Sequence, residues 1–153
     1  MLKLMGTSAA LLLCAVVTAH AAPSLKATTT TSGGGIYTVP ITLYGDSTAI
    51  AAVGVELTYD PKVLEAAGAA AGPAATVAGK QVVVTPGDKG HLTVGVFGMN
   101  ANKLMDGVVA TVTFRVKPGQ EQAAKSLNYL FSASTLAGDD LTLEQTKGTV
   151  ILE

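Results

Sequence analysis

Tryptophan is absent from this 153-residue chain, cysteine occurs once and histidine twice. Each scarcity closes off some chemistry. One cysteine, Cys14, allows neither an internal disulfide nor a thiolate metal centre, because closed zinc sites need several Cys or His ligands. Two histidines, His20 and His91, leave a nucleophile little choice of base. Aromatic residues are 5% of the chain, all Tyr or Phe, so a broad stacking platform for sugars has little to draw on. Ten basic against eleven acidic side chains give a formal charge of −1. That excludes the basic footprint of a nucleic-acid or anionic-membrane binder. Long apolar runs are also missing: residues 9–17 (AALLLCAVV) are too few to span a bilayer as a permanent helix.

That short run has the anatomy of an export signal. Lys3 supplies a positive start, and Ala19-His20-Ala21 gives the small-x-small pattern of a cleavage site. Cleavage after Ala21 keeps Pro23 away from the scissile bond. Residues 1–21 therefore read as a signal peptide and 22–153 as a single domain, secreted or periplasmic. Leu13 stands before Cys14 where lipidation wants a small residue, so no lipid is expected. Removing residues 1–21 leaves 132 residues, enough to bury a core without disulfides, with 9 basic and 11 acidic side chains. No second long apolar run follows, so no membrane anchor is expected in the mature chain.

What the mature segment does contain is period-two alternation, the mark of half-buried strands. Val39, Ile41 and Leu43 share one face of residues 38–44. Val53, Val55, Leu57 and Tyr59 share one face of 53–59, and Leu92, Val94 and Val96 one face of 91–96. Over 108–117 the inward set is Val108, Ala110, Val112, Phe114 and Val116, and the outward set Val109, Thr111, Thr113 and Arg115. Leu127, Tyr129, Phe131 and Ala133 alternate with Asn128, Leu130, Ser132 and Ser134. Shorter candidates are 25–30, 81–85 and 149–152. Turn chemistry separates the runs: Gly33-Gly34-Gly35, Pro86-Gly87-Asp88-Lys89-Gly90, Pro118-Gly119 and Gly138-Asp139-Asp140. Residues 66–78 are alanine-rich, but Gly68, Gly72 and Pro73 interrupt them, so they read as a strand edge and loop. Residues 101–106 have room for one helical turn. The expectation is all-β: a single antiparallel β-sandwich.

Catalytic signals are few. His91 opens a strand after a turn, which suits a solvated edge position. Asp139 and Asp140 suit a polar hairpin turn as well as a calcium ligand set. Asp60-Pro61 and Asp106-Gly107 are turn formers. Tyr59, Phe114, Tyr129 and Phe131 fall in the core phase, leaving Tyr37, Tyr44 and Phe97 scattered as the candidate sugar contacts. No enzyme and no cofactor or metal is expected.

The order of segments GGGIYTVPITLYG (33–45), VGVELTYDPKVLE (53–65), GHLTVGVFG (90–98), DGVVATVTFRVK (106–117) and ASTLAGDDLTLEQTKGTVIL (133–152) resembles a cohesin domain. Most telling is a strand ending Tyr-Asp-Pro-x-Val-Leu, followed about 40 residues later by Asp-Gly-x-x-Ala-x-x-x-Phe-x-Val. In such chains Asp60-Pro61 ends a strand, and Val63 and Leu64 plug the open end of the sandwich. The resemblance covers nearly all of residues 25–152. It implies a nine-stranded jelly roll that docks a dockerin-type protein through one sheet face, while related carbohydrate-binding modules share the scaffold and keep a polysaccharide ligand open. Scaffold proteins usually string several cohesins together. The single domain here points to a stand-alone adaptor.

The docking strands of the family match 51–59, 80–85, 91–97 and 126–136. Their outward positions are Glu56, Thr58, His91, Thr93, Phe97, Asn128, Leu130 and Ser132, the candidate partner-binding set. It is mostly small and polar around two large apolar residues, Phe97 and Leu130, which are expected to lie within reach of one another. An apolar centre with a polar rim is the usual anatomy of a protein interface.

Overall fold

A computed structural model of the chain describes residues 21–45 and 49–153. The leader read over residues 1–21, Ala21 excepted, lies outside the described residues. Among the described residues ten strands and one helical turn follow in order: β1 (Ser24–Ala27), β2 (Thr30–Gly33), β3 (Ile36–Tyr44), β4 (Ile50–Tyr59), β5 (Leu64–Ala71), α1 (Pro73–Val77), β6 (Gln81–Pro86), β7 (His91–Phe97), β8 (Gly107–Val116), β9 (Ser126–Thr135) and β10 (Lys147–Ile151). Every pairing is antiparallel. One sheet runs β1-β3-β8-β5, with β2 also on β3, and the other runs β10-β9-β4-β7-β6.

The sandwich is the one the alternation predicts. Val39, Ile41, Leu43, Val112 and Phe114 of the first sheet are buried, as are Val55, Leu57, Leu92, Val94, Leu127 and Phe131 of the second. Each such side chain contributes about 1.5–3 kcal/mol relative to exposure, which is why one face of every long strand turns inward. The Phe114 ring meets Tyr59 edge-on, with centroids 5.2 Å apart. Val63 and Leu64 close one end, both buried. The Asp60 carbonyl accepts from both of their N–H groups, and Asp60 Oδ1 accepts from Lys62 N–H at 2.8 Å. That is the tight turn expected at Asp60-Pro61.

Four local expectations change. Ten strands replace nine because the first edge strand breaks at Thr28-Thr29 into β1 and β2, both paired to β3. Residues 66–78 yield a strand to Ala71 and then the helical turn α1, which Pro73 begins with its preset φ. No helical turn forms at 101–106. In β8 the phase slips: Ile41 pairs Ala110 while Thr42 pairs Val108, so Val109 sits in a bulge. Val109 is therefore fully buried and Val108 only half-buried, the reverse of plain alternation.

Candidate functional site

The outer face of β10-β9-β4-β7-β6 is built by the outward phase of its strands. All eight candidate residues, Glu56, Thr58, His91, Thr93, Phe97, Asn128, Leu130 and Ser132, are exposed on it. Register arranges them in rows. Thr149, Asn128, Thr58 and His91 form one row across β10, β9, β4 and β7. Lys147, Leu130, Glu56, Thr93 and Thr85 form the next and extend to β6. Ser132, Gly54, Gly95 and Val83 follow. Phe97 lies beyond them at the end of β7.

The first two rows enclose a shallow groove of about 650 Å³, lined by Glu56, Thr58, His91, Asn128, Tyr129, Leu130, Lys147, Gly148 and Thr149. Two pairs of its polar side chains are hydrogen-bonded to each other. Thr149 Oγ1 donates to Asn128 Oδ1 at 2.8 Å. Thr58 Oγ1 and His91 Nδ1 share a hydrogen bond of 3.2 Å, and His91 Nε2 stands 3.7 Å from Glu56 Oε2. The order Thr58–His91–Glu56 superficially suggests a nucleophile and its base. At 3.7 Å, however, the carboxylate is outside hydrogen-bond range of the imidazole it would have to orient. Both side chains are also about half exposed (47% and 52%), so water screens the pair. Among the described residues no three His, Cys, Asp or Glu side chains gather as a metal site. The turn at Asp139 is a hydrogen-bonded hairpin, with Thr135 N–H donating to the Asp139 carbonyl and Asp139 N–H to Thr135 Oγ1.

Five of the eight candidates line the groove, and Thr93, Ser132 and Phe97 lie outside it on the same face. Phe97 and Leu130 do not meet. One strand and four residues of register separate them, about 16 Å of backbone. Alternation gave the facing of each residue but not its distance from the other. The aromatic assignments also shift. Tyr37 is buried opposite Phe114, and Tyr44 is on the other sheet, with Lys26 Nζ 5.2 Å from its ring centroid. Tyr129 is half-buried and reaches the groove margin, stacked on Phe131 at 4.4 Å, with its hydroxyl over Gly148, which has no side chain to block it. Sequence reasoning missed Lys147 and Thr149 on β10, and Val83 and Thr85 on β6. The same alternation would have found them, since Val150 turns inward between Thr149 and Ile151.

A model of the cohesin domain matches residues 23–152. The chain belongs to the cohesin-domain family. No curated protein sequence matches it significantly. Solved cohesins share the fold. The sixth cohesin of scaffoldin B from Acetivibrio cellulolyticus, solved in complex with a Cel5 dockerin, is 23% identical with a TM-score of 0.67, covering 86% of this chain and 99% of that one. A non-cellulosomal cohesin from the archaeon Archaeoglobus fulgidus is 18% identical with a TM-score of 0.64, covering 87% and 92%. A cohesin from Clostridium acetobutylicum is 15% identical with a TM-score of 0.69, again covering 87% and 92%. Such identities establish the sandwich of this cohesin and leave its contacts to be argued from its own face.

Proposed function

We propose that this cohesin is an exported, non-catalytic docking module that captures a dockerin-type protein on the outer face of β10-β9-β4-β7-β6. One observation carries the proposal: eight outward residues chosen from three separate segments converge on a single exposed, grooved sheet face. Its chemistry suits a protein partner. Leu130 and Phe97 are 46% and 48% exposed among hydroxyl and amide side chains, with Glu56, Lys147 and His91 the charged or ionisable groups of its first two rows. Relatives with this fold are solved bound to dockerins. Export is supported by Lys3, the apolar run at 9–17 and the cleavage pattern ending at Ala21. A polysaccharide ligand has less support, since Phe97 is the one aromatic ring well exposed on this face among the described residues.

The test is calorimetric titration of the mature domain with purified dockerin modules encoded by the producing organism. Binding at micromolar or tighter affinity is expected with calcium, and its loss in chelator as the dockerin unfolds. Failure of every such module to bind, together with retention on an insoluble polysaccharide, would replace docking by sugar binding.

A further inference from the structure

We propose that the free edge of β6 pairs with β6 of a second copy of this chain, joining two sandwiches edge to edge. The inference stands apart from the docking role of the grooved face. A strand at the end of a sheet presents unpaired N–H and C=O groups, and folded proteins blunt such edges with charges, bulges, breaks or a covering segment. Three of the four sheet edges among the described residues are blunted in this way. The β1–β2 edge breaks at Thr28-Thr29 and carries Lys26. β5 has a bulge between Ala66 and Gly68. β10 carries Lys147, and the segment before it is strapped down by Glu144 N–H, which donates to the Pro23 carbonyl at 2.9 Å. β6 (QVVVTP) has no charged side chain, and its one guard is Pro86 at the last position. Of the described strands it pairs with β7 alone.

Ladder geometry fixes which groups are free. In an antiparallel pair, hydrogen-bonded residues alternate with residues whose N–H and C=O turn away. Gly87 N–H donates to the His91 carbonyl at 2.8 Å, and the register steps from there to Thr85↔Thr93 and Val83↔Gly95 as the bonded pairs. The main-chain groups of Val82 and Val84 therefore point away from β7. Their side chains pack on the core yet stay half-buried, while Val83 turns to the outer face, 42% exposed. Both the main chain and these valines thus lack a neighbour on one side. An extended backbone supplies both, by strand addition. A second β6 fits because antiparallel pairing about a two-fold axis at Val83 is self-complementary. Val82 of one copy exchanges N–H and C=O bonds with Val84 of the other, and the two Val83 side chains lie side by side. With no charged side chain on either strand, like meets like without repulsion. A charged partner strand would find no opposite charge along this edge.

Analytical ultracentrifugation of the mature protein is expected to show a monomer–dimer equilibrium with a dissociation constant on the order of 100 μM, since a contact one strand wide is at the small end of protein interfaces. Val83→Lys changes an exposed position, so its melting midpoint should stay near wild type. Its dimer should weaken by about tenfold or more, because like charges then stand directly opposite each other. Crosslinking tests the register. Cys14 lies in the leader, so Val83→Cys gives the mature protein one thiol. Facing its twin across the two-fold axis, that thiol should form a disulfide-linked dimer under mild oxidation. Thr85→Cys should not, because the two copies of residue 85 lie about 13 Å apart along the strands. A monomer at every concentration, or equal crosslinking by the two cysteine variants, overturns the pairing. A monomer whose dockerin affinity falls in Val83→Lys assigns this edge to the dockerin and overturns it as well.

Discussion

Gly54 and Gly95 face each other across β4 and β7 in the outer layer of the grooved sheet, leaving bare backbone at its centre. Neighbours lean over the gap. A Cβ at Gly54 would stand 2.5 Å from Ser132 Oγ, and one at Gly95 would stand 3.2 Å from Phe97 Cε1. The Phe97 ring thus lies back along its own strand and fills the outer layer above Gly95. Gly95→Ala is expected to push that ring outward by a few tenths of an ångström. Stability should hold or rise by up to about 1 kcal/mol, since alanine narrows the unfolded ensemble at a backbone angle it tolerates. Dockerin affinity should fall. Unchanged affinity with a displaced ring would remove Phe97 from the contact surface.

Gly33 and Gly90 share nearly the same positive φ, +79° and +78°, in different surroundings. A Cβ added at Gly33 would meet nothing within 4 Å, whereas at Gly90 it would overlap the Tyr59 carbonyl oxygen and meet Pro61 Cδ at 2.8 Å. Gly33→Ala should cost only the backbone strain, about 1–2 kcal/mol. Gly90→Ala should cost more than about 4 kcal/mol, because the Tyr59 N–H bonded to the Gly90 carbonyl at 2.9 Å must move as well. Denaturant midpoints that shift equally would show that the Asp60-Pro61 turn yields freely.

Inside the sandwich the contrast is between neighbours on one strand. Phe114 is fully buried against Tyr59, so Phe114→Ala leaves a cavity costing about 3–5 kcal/mol. Thr113 lies between Thr38 and Gly68 on the outer side, and Thr113→Ala should cost less than about 1 kcal/mol. The bulge adds a second contrast that alternation alone inverts. Val109→Ala should destabilise more than Val108→Ala, by about 1–2 kcal/mol. Equal urea midpoints for the two valine variants would place the bulge elsewhere.

These cases mark where the sequence was legible. Period two is a local signal, and it found most of the strands, the core phase of β3, β4, β7 and β9, and the exposure of the eight candidates on the grooved face, though not the four further outward residues on β10 and β6. It failed at Val108 and Val109 because a bulge inserts one residue without any change of composition to announce it. It missed α1 because five small residues carry no periodicity, and the turn depends on Pro73 following Gly72 against β8. The distance between Phe97 and Leu130 depended on register, which is set across strands far apart in sequence.

That distance yields a sharper expectation for docking. Leu130→Asp and Phe97→Asp both change exposed side chains, so each variant should fold, with melting midpoints close to wild type. Each should weaken dockerin binding, because a carboxylate desolvated against an apolar partner is costly. Sites more than about 10 Å apart with no shared partner add, so the double variant should lose the sum of the two single losses to within about 0.5 kcal/mol. Calorimetry of the four proteins closes the cycle. Strong coupling between the two positions would mean that one rigid element of the partner bridges them, or that Phe97 swings toward the groove on binding. A loss at Leu130 with none at Phe97 would confine the contact to the groove rows between Thr149 and Thr93, where Glu56, Thr58 and Asn128 become the next positions to replace.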